Sequence, residues 1–191
     1  MKIRVWNSVS LDGVMQAPGG KDEDPRGGFE HGGWAAPYSD EVMLRKAGVG
    51  MSEPRPIVFG RWTYEKMYGF WPHQTDNPFT DVLNNSQKYV ASRTLEDPLP
   101  WQNSTLLQGD AGDALAELKQ QPGPNALVLG SGDLLATLIR RNLIDEYTLL
   151  IHPLVLGSGR RMFPDDTFAT LRLVDSVPTT TGVIIATYEP A

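Results

Sequence analysis

The chain has 191 residues and no cysteine, enough for one domain with a substantial core and no route to disulfide or thiolate-metal stabilisation. Seventeen basic residues against 23 acidic ones give a formal net charge of −6, with no basic run, which argues against nucleic acid as a partner. No apolar run approaches the length of a membrane span and no signal-like stretch precedes the first strand pattern, so a cytoplasmic location is the expectation.

From Lys2 to Ser10 the chain alternates, with Ile3, Val5 and Val9 on one face and Arg4, Trp6 and Ser8 on the other. This predicts a strand ending at Ser10-Leu11-Asp12-Gly13. Residues 17–33 carry six glycines and two prolines among charges, the composition of a long mobile loop. Loops of that length inside a compact domain are commonly functional, so a lid over a site is expected. Tyr38 to Lys46 fits a helix started by Ser39 or Asp40. Asp40 and Glu41 in its first turn either complement the helix dipole or serve catalysis.

Arg55 to Phe59 predicts a strand running through Gly60 into a helix that opens Arg61-Trp62-Thr63. Lys88 to Ala91 is a strand followed by Ser92-Arg93-Thr94, two hydroxyls around a guanidinium suited to bidentate phosphate contacts. Thr105 to Leu107 reaches Gly109-Asp110, after which Ala114, Leu115 and Leu118 give a helix stopped by Gln121-Pro122-Gly123-Pro124.

The most informative stretch is next. Ala126 to Leu129 ends at Gly130-Ser131-Gly132, and Leu134, Leu135, Leu138 and Ile139 then recur at helical spacing. At such a strand–turn–helix corner the first N–H groups of the helix are unpaired and the dipole is positive, so an anion fits. Ser131 or Asp133 is placed to cap the helix. The turn lacks the third glycine of GxGxxG, its position being Leu135, and no Gly-Lys-Ser/Thr follows, which removes the Rossmann and Walker A readings. A turn that merely joins strand to helix is the other reading. Ile144 to Val155 predicts a long strand with Pro153 at an edge or bulge, and Leu171–Val177 with Thr181–Tyr188 an antiparallel closing pair. The string VLGSG recurs at Val155 to Gly159 before Arg160 and Arg161, as an anion site, a turn or an interface.

Strands alternating with helices predict a sheet covered on both faces, mixed because of the last hairpin. Ligands of such sheets gather at the strands' carboxyl ends, where four polar corners fall, suggesting a ligand with more than one phosphate. His31, His73 and His152 share no ligand-like spacing, so no metal site is expected. Trp34, Trp62, Trp71 and Tyr38 wall an aromatic ligand or pack in the core.

Five strings occur here in the order of one known family: Ser10-Leu11-Asp12-Gly13; Gly60-Arg61-Trp62-Thr63-Tyr64; Ser92-Arg93-Thr94; Val128 to Gly132; and Leu143 to Glu146 leading to His152–Phe163. The sequence resembles the dihydrofolate reductase-like superfamily, and within it the reductase domain of the bifunctional riboflavin-biosynthesis deaminase-reductase with its stand-alone bacterial relatives. The resemblance covers nearly the whole chain, residues 1–191 as a single domain. It implies a three-layer α/β/α fold around a mixed, mostly parallel sheet, NADPH as hydride donor, a small heterocyclic substrate and a homodimer.

Carried over, Gly60, Arg61 and Thr63 would hold the pyrophosphate and adenosine side, with Arg61, Ser92, Arg93 and Thr94 at the 2′-phosphate. Gly109 belongs to the same cofactor set, and Gly130, Ser131, Gly132, Asp133 and Leu134 would carry the bridging phosphates. Asp12 is the first polar candidate beside the substrate, its other reading being a turn residue. Asp40 and Glu41 are the acids nearest the first-helix anchor of folate enzymes, in a different loop context. The Gly-Gly cis peptide typical of dihydrofolate reductases falls on Gly130-Ser131. No cysteine means no zinc deaminase signature. The implied activity is reduction of a pyrimidine- or pterin-like compound, of the 5-amino-6-(5-phosphoribosylamino)uracil reductase type. The alternative is a non-catalytic nucleotide-binding or dimeric interaction module.

Overall fold

The structure, a computed structural model, describes residues 1–50 and 52–191. Its centre is one sheet of β1 (Ile3–Ser10), β2 (Ile57–Gly60), β3 (Lys88–Ala91), β4 (Ser104–Leu107), β5 (Ala126–Leu129), β6 (Glu146–His152), β7 (Leu171–Pro178) and β8 (Ile184–Pro190). The spatial order is β4-β3-β2-β5-β1-β6-β8-β7. Every pair from β4 to β6 is parallel, whereas β8 runs antiparallel to β6 and β7 antiparallel to β8. The mixed sheet with its C-terminal hairpin is therefore the one the pattern predicts.

Among the described residues five α-helices cover it: α1 (Glu41–Gly50), α2 (Arg61–Phe70), α3 (Pro78–Asn85), α4 (Ala111–Gln120) and α5 (Gly132–Arg140). Side chains alternate across a strand, so each strand feeds two cores. Ile3, Val5, Val58 and Val128 meet Leu115, Leu135 and Leu138 of α4 and α5, all almost fully buried. On the other face Ile57, Phe59 and Val90 meet Tyr64 of α2 and Leu83 of α3, while Leu150 and Ile185 lie under Met43 of α1. Each of the buried leucines contributes about 1.5–3 kcal/mol over an exposed position. The result is three layers.

Two elements depart from the pattern. The strand expected over 144–155 ends at His152, because Pro153 has no N–H for the ladder. The helix α3 was not anticipated, although Asn77 caps it by accepting from the Phe79 N–H at 3.0 Å and Pro78 occupies the first position, both standard start signals. No helix among the described residues is long and apolar enough to cross a membrane.

Because β1 to β5 run parallel, their carboxyl ends share one edge. Strand β5 lies between β1 and β2, pairing Val128 with Val5 and with Val58, so the corner after β5 is flanked by the ends of both neighbours.

Candidate functional site

The Gly130–Ser131 corner is held from both sides. Asn7 of β1 accepts from the Gly130 N–H at 2.7 Å and donates to its carbonyl at 3.3 Å, while Thr63 of α2 accepts from the Ser131 N–H at 2.9 Å. The Ser131 hydroxyl accepts from the Gly60 N–H at 2.9 Å and donates to the Leu129 carbonyl at 2.8 Å. These bonds fix Gly130 and Ser131 at φ 55° and 65°, in the left-handed region that costs a non-glycine residue roughly 1–2 kcal/mol. The peptide between them is trans, since Asp97–Pro98 is the only cis bond among the described residues. The turn thus aims the unpaired first N–H groups of α5 into the open edge.

Two clefts meet at the Gly60–Ser131 bond. The first, about 390 Å³, is lined by Gly60, Ser92, Arg93, Gly109, Asp133 and Leu134, with Asp110 at its rim. Arg93 makes no hydrogen bond to any described residue, so its guanidinium is free for a ligand. Both acids here are neutralised by neighbours. Asp110 caps α4 and pairs with Arg141 at 2.7 Å, and the Asp113 and Gly112 amides, with the charges of Arg141 and Arg93, hold its carboxyl below the usual range. Asp133 pairs with Arg160 and lies 3.8 Å from Arg26.

Arg61 and Thr94 line neither cleft. The Arg61 guanidinium donates to the Thr94 hydroxyl at 2.9 Å, one residue along from Arg93, so of the residues expected near the 2′-phosphate Ser92 and Arg93 line the cleft and Arg61 does not.

The second cleft, about 240 Å³, has Thr63, Gly130, Ser131 and Gly132 on one wall and the glycine-rich loop on the other. That loop has no strand or α-helix, as its composition predicts, and it does cover a cleft. It is pinned rather than free, however. The side chain of Gln16 donates to the Asp24 and Arg26 carbonyls at 3.0 and 2.9 Å and accepts from the Arg160 N–H at 2.8 Å, while Trp34 donates to the Gln16 carbonyl at 2.7 Å. Through these ties the loop places Glu23, Asp24 and Arg26 in the cleft, and the segment after the second VLGSG places Arg160 there.

Burial pushes Asp24 up, but a two-pronged Arg26 contact at 2.7 and 2.6 Å outweighs it and leaves the carboxyl below the usual range. Asp24 is thus an ionised anchor for Arg26, whose guanidinium stacks 4.4 Å from the Trp62 ring centre. Spacing gave no hint of Gln16, Asp24 or Arg26. Among the aromatic candidates Trp62 walls the cleft, whereas Trp34 is buried, Tyr38 packs on His152 and Trp71 packs on Phe79.

The cleft floor is Trp6, Ser8 and Leu129. Behind Ser8 sits His152, fully buried, with Nε2 at 3.2 Å from the Ser8 hydroxyl and Nδ1 without a partner. Trp34 and Tyr38 pack edge-on against its ring at 5.1 and 5.5 Å. An orphaned lone pair in that apolar cage costs less than an orphaned N–H, so Nε2 carries the proton and donates to Ser8. The Ser8 hydroxyl then keeps its own hydrogen to donate. Burial pushes the imidazole down to about 4. An unfolded histidine takes its proton near 6.5, so stability should be lost as the pH falls from about 6.5 towards 4, by on the order of 1–3 kcal/mol. Thermal melts across that window, compared with His152→Phe, check this.

The three acids singled out for catalysis stand elsewhere. Asp12 accepts from the Ser10 hydroxyl at 2.6 Å and from the Leu156 and Gly157 amides at 3.1 and 2.8 Å, outside both clefts. It clamps the turn that follows β6, and those bonds, Ser10's the largest, hold its carboxyl down to about 2. The contribution, ~1 kcal/mol for so exposed a group, should be present above about pH 4 and vanish as the pH falls through 2, so Asp12→Asn and parent melts should converge in acid. Asp40 caps α1 through the Met43 N–H at 2.8 Å and accepts from the Thr180 amide and hydroxyl at 2.6 and 2.7 Å. Glu41 is an exposed first-turn residue of α1. Neither lines a cleft.

An α/β/α fold with paired clefts at the carboxyl edge of a mixed sheet, one with a free arginine and one roofed by a loop, is that of a dihydrofolate reductase-like protein. The profile of the family described as "RibD C-terminal domain" matches residues 1–185, so the chain belongs to that family, an oxidoreductase-type domain that generally uses NADPH. Two proteins of Bacillus subtilis (strain 168), both named as uncharacterized, are similar: YyaP at 28% identity over 142 residues (70% of this chain, 72% of YyaP) and YwjB at 30% over 118 residues (61% and 63%). A crystal structure named "putative riboflavin biosynthesis protein" from Shewanella sp. PV-4 superposes with a TM-score of 0.69 at 22% identity, over 100% of this chain and 99% of that one.

Proposed function

We propose that the protein is an NADPH-dependent reductase of a pyrimidine- or pterin-like small molecule, of the 5-amino-6-(5-phosphoribosylamino)uracil reductase type. The observation that carries the reading is the convergence of the unpaired α5 N-terminus and the unpartnered Arg93 on adjoining clefts. The chain fits the cofactor chemically, since the cleft offers an anion a guanidinium and a hydroxyl in Arg93 and Ser92 beside the first turn of α5, while Gly130, where a Cβ would come within 3.0 Å of the Thr63 hydroxyl, lets the turn pack tightly on α2. NADPH when bound supplies a hydride. The protein's own part is positional. Arg93 and Ser92 take the 2′-phosphate, α5 takes the bridging phosphates, and Trp62 and Trp6 flank a flat ring. The Ser8 hydroxyl, oriented by His152, donates to a ring acceptor, while the Gln16-pinned loop keeps water out.

Tryptophan quenching on titration with NADPH and NADH, followed by loss of reduced-nicotinamide absorbance with a pyrimidine and pterin panel, tests this. Absence of quenching by either nucleotide would favour the alternative, a non-catalytic interaction module. We further propose a homodimer built on β7, which is one of the two edge strands of the sheet and exposes Leu173 and Val174. Light scattering on Val174→Lys, expected to shift dimer towards monomer, checks it.

A further inference from the structure

Beneath α1, on the face of the sheet that carries Trp6, lies a separate cavity of about 180 Å³ lined by Arg4, Trp6, Ala47, Arg55, Glu146 and Thr148 with Leu127 and Leu129. Trp6 and Leu129 also line the loop-covered cleft, so cavity and cleft share a wall. Neither arginine donates a side-chain hydrogen bond to any described residue, and the Nε of each is buried with no hydrogen bond among them. The one charge partner is Glu146, 3.4 Å from the Arg4 Nε. The two guanidiniums are then short of acceptors in a cavity whose other walls are the apolar Trp6, Ala47, Leu127 and Leu129 with Glu146 and Thr148.

We infer that this cavity is an anion site for a carboxylate carried on an apolar or aromatic group. Two guanidiniums and one carboxylate leave a single positive charge, which matches a monoanion and under-compensates a phosphate dianion. Arginine's planar fork suits a carboxylate. The apolar walls suit its carrier. Along β1, Arg4 and Ser8 lie on one face four residues apart, about 13 Å. Trp6, between them on that face, is the wall that the cavity shares with the cleft, so an occupant of the cavity lies directly behind a substrate ring resting on Ser8. This extension rests on the reductase reading; the anion site does not.

The test is a titration of the full chain with benzoate and with inorganic phosphate, followed by the arginine Nε–H signals in NMR and by calorimetry. Benzoate should saturate and shift the Arg4 and Arg55 signals, and Arg4→Gln or Arg55→Gln should each weaken it by roughly tenfold or more. Phosphate should bind more weakly, and Glu146→Gln, which removes the opposing charge, should improve it by roughly tenfold. Circular dichroism confirms that each variant is folded, and Arg55, away from the centre of the sheet, serves if Arg4→Gln is not. Lack of benzoate saturation, benzoate binding indifferent to both arginines, or phosphate binding as well as benzoate would each overturn the assignment. NADPH titration of the same samples keeps the readings apart: failure of benzoate with intact NADPH binding removes this site alone, and the reverse removes only the reductase.

Discussion

Arg93→Ala should weaken NADPH by about 10–100-fold and leave NADH nearly unchanged, since a charge-assisted contact to a phosphate contributes about 1.5–3 kcal/mol and only NADPH has the 2′-phosphate. The position is prepared for that contact. Strand β3 ends at Ala91, and the Ser92 hydroxyl accepts from the Thr94 and Leu95 amides at 3.1 and 2.9 Å, a side-chain turn that fixes the Arg93 backbone at the cleft wall. Among the described residues the guanidinium has no hydrogen bond to leave, only the nearby charge of Asp110. Arg61 does have a hydrogen bond, to Thr94, and stands outside the wall, so Arg61→Ala should cost less than about threefold. Fluorescence titrations with both nucleotides at one ionic strength distinguish the two residues. Equal loss for NADPH and NADH in Arg93→Ala would move the adenosine end of the cofactor elsewhere.

Lys88→Met should destabilise the fold by ~3–5 kcal/mol and lower the melting temperature by on the order of 10 °C. Lys88 opens β3 with no exposed surface, and its ammonium donates to the Leu83, Asn84 and Ser86 carbonyls at 2.8, 3.3 and 2.7 Å. These lie at or just past the C-terminus of α3, where the helix dipole is negative and the last carbonyls lack intrahelical partners. The Trp101 ring stands 4.6 Å from Nζ, adding a cation–π contact, and Trp101 itself donates to Asn84 at 2.7 Å. Burial pushes the ammonium down to about 8, which leaves it charged at neutral pH. Methionine keeps the length and packing of the stem but strands the Leu83 and Ser86 carbonyls, while that of Asn84 keeps the Gln102 and Asn103 amides at 3.0 Å. Calorimetric melts of the two proteins check the figure, and an unchanged melting temperature would show that water replaces the ammonium.

Much of the architecture was legible from local pattern. Alternation in residues 2–10 put Ile3 and Val5 on one face and Arg4 and Trp6 on the other, as observed, because a strand's period is two whatever surrounds it. The Gly130–Gly132 corner was legible for a similar reason: strand, small turn residues and helical spacing are all read within about a dozen residues. The places of the candidate acids were not. Asp12 and Asp40 have the short polar side chains that fit turns, caps and active sites alike, and what separates those roles is a partner 140 or more residues away, Leu156 and Gly157 for one and Thr180 for the other.

The chain by itself determined the succession of strand, turn and helix, the glycine and hydroxyl corners and the family, since each depends on neighbours along the backbone. Only the tertiary structure decided that β5 enters between β1 and β2, and so which corners share an edge. It alone brought Arg160 to Asp133, laid Asp24 and Arg26 over Trp62, buried Lys88 under Trp101 and left Arg4 and Arg55 facing one cavity. The reason is physical: register and strand order are fixed by the burial of two faces at once, a condition on the whole sheet that no window of sequence contains.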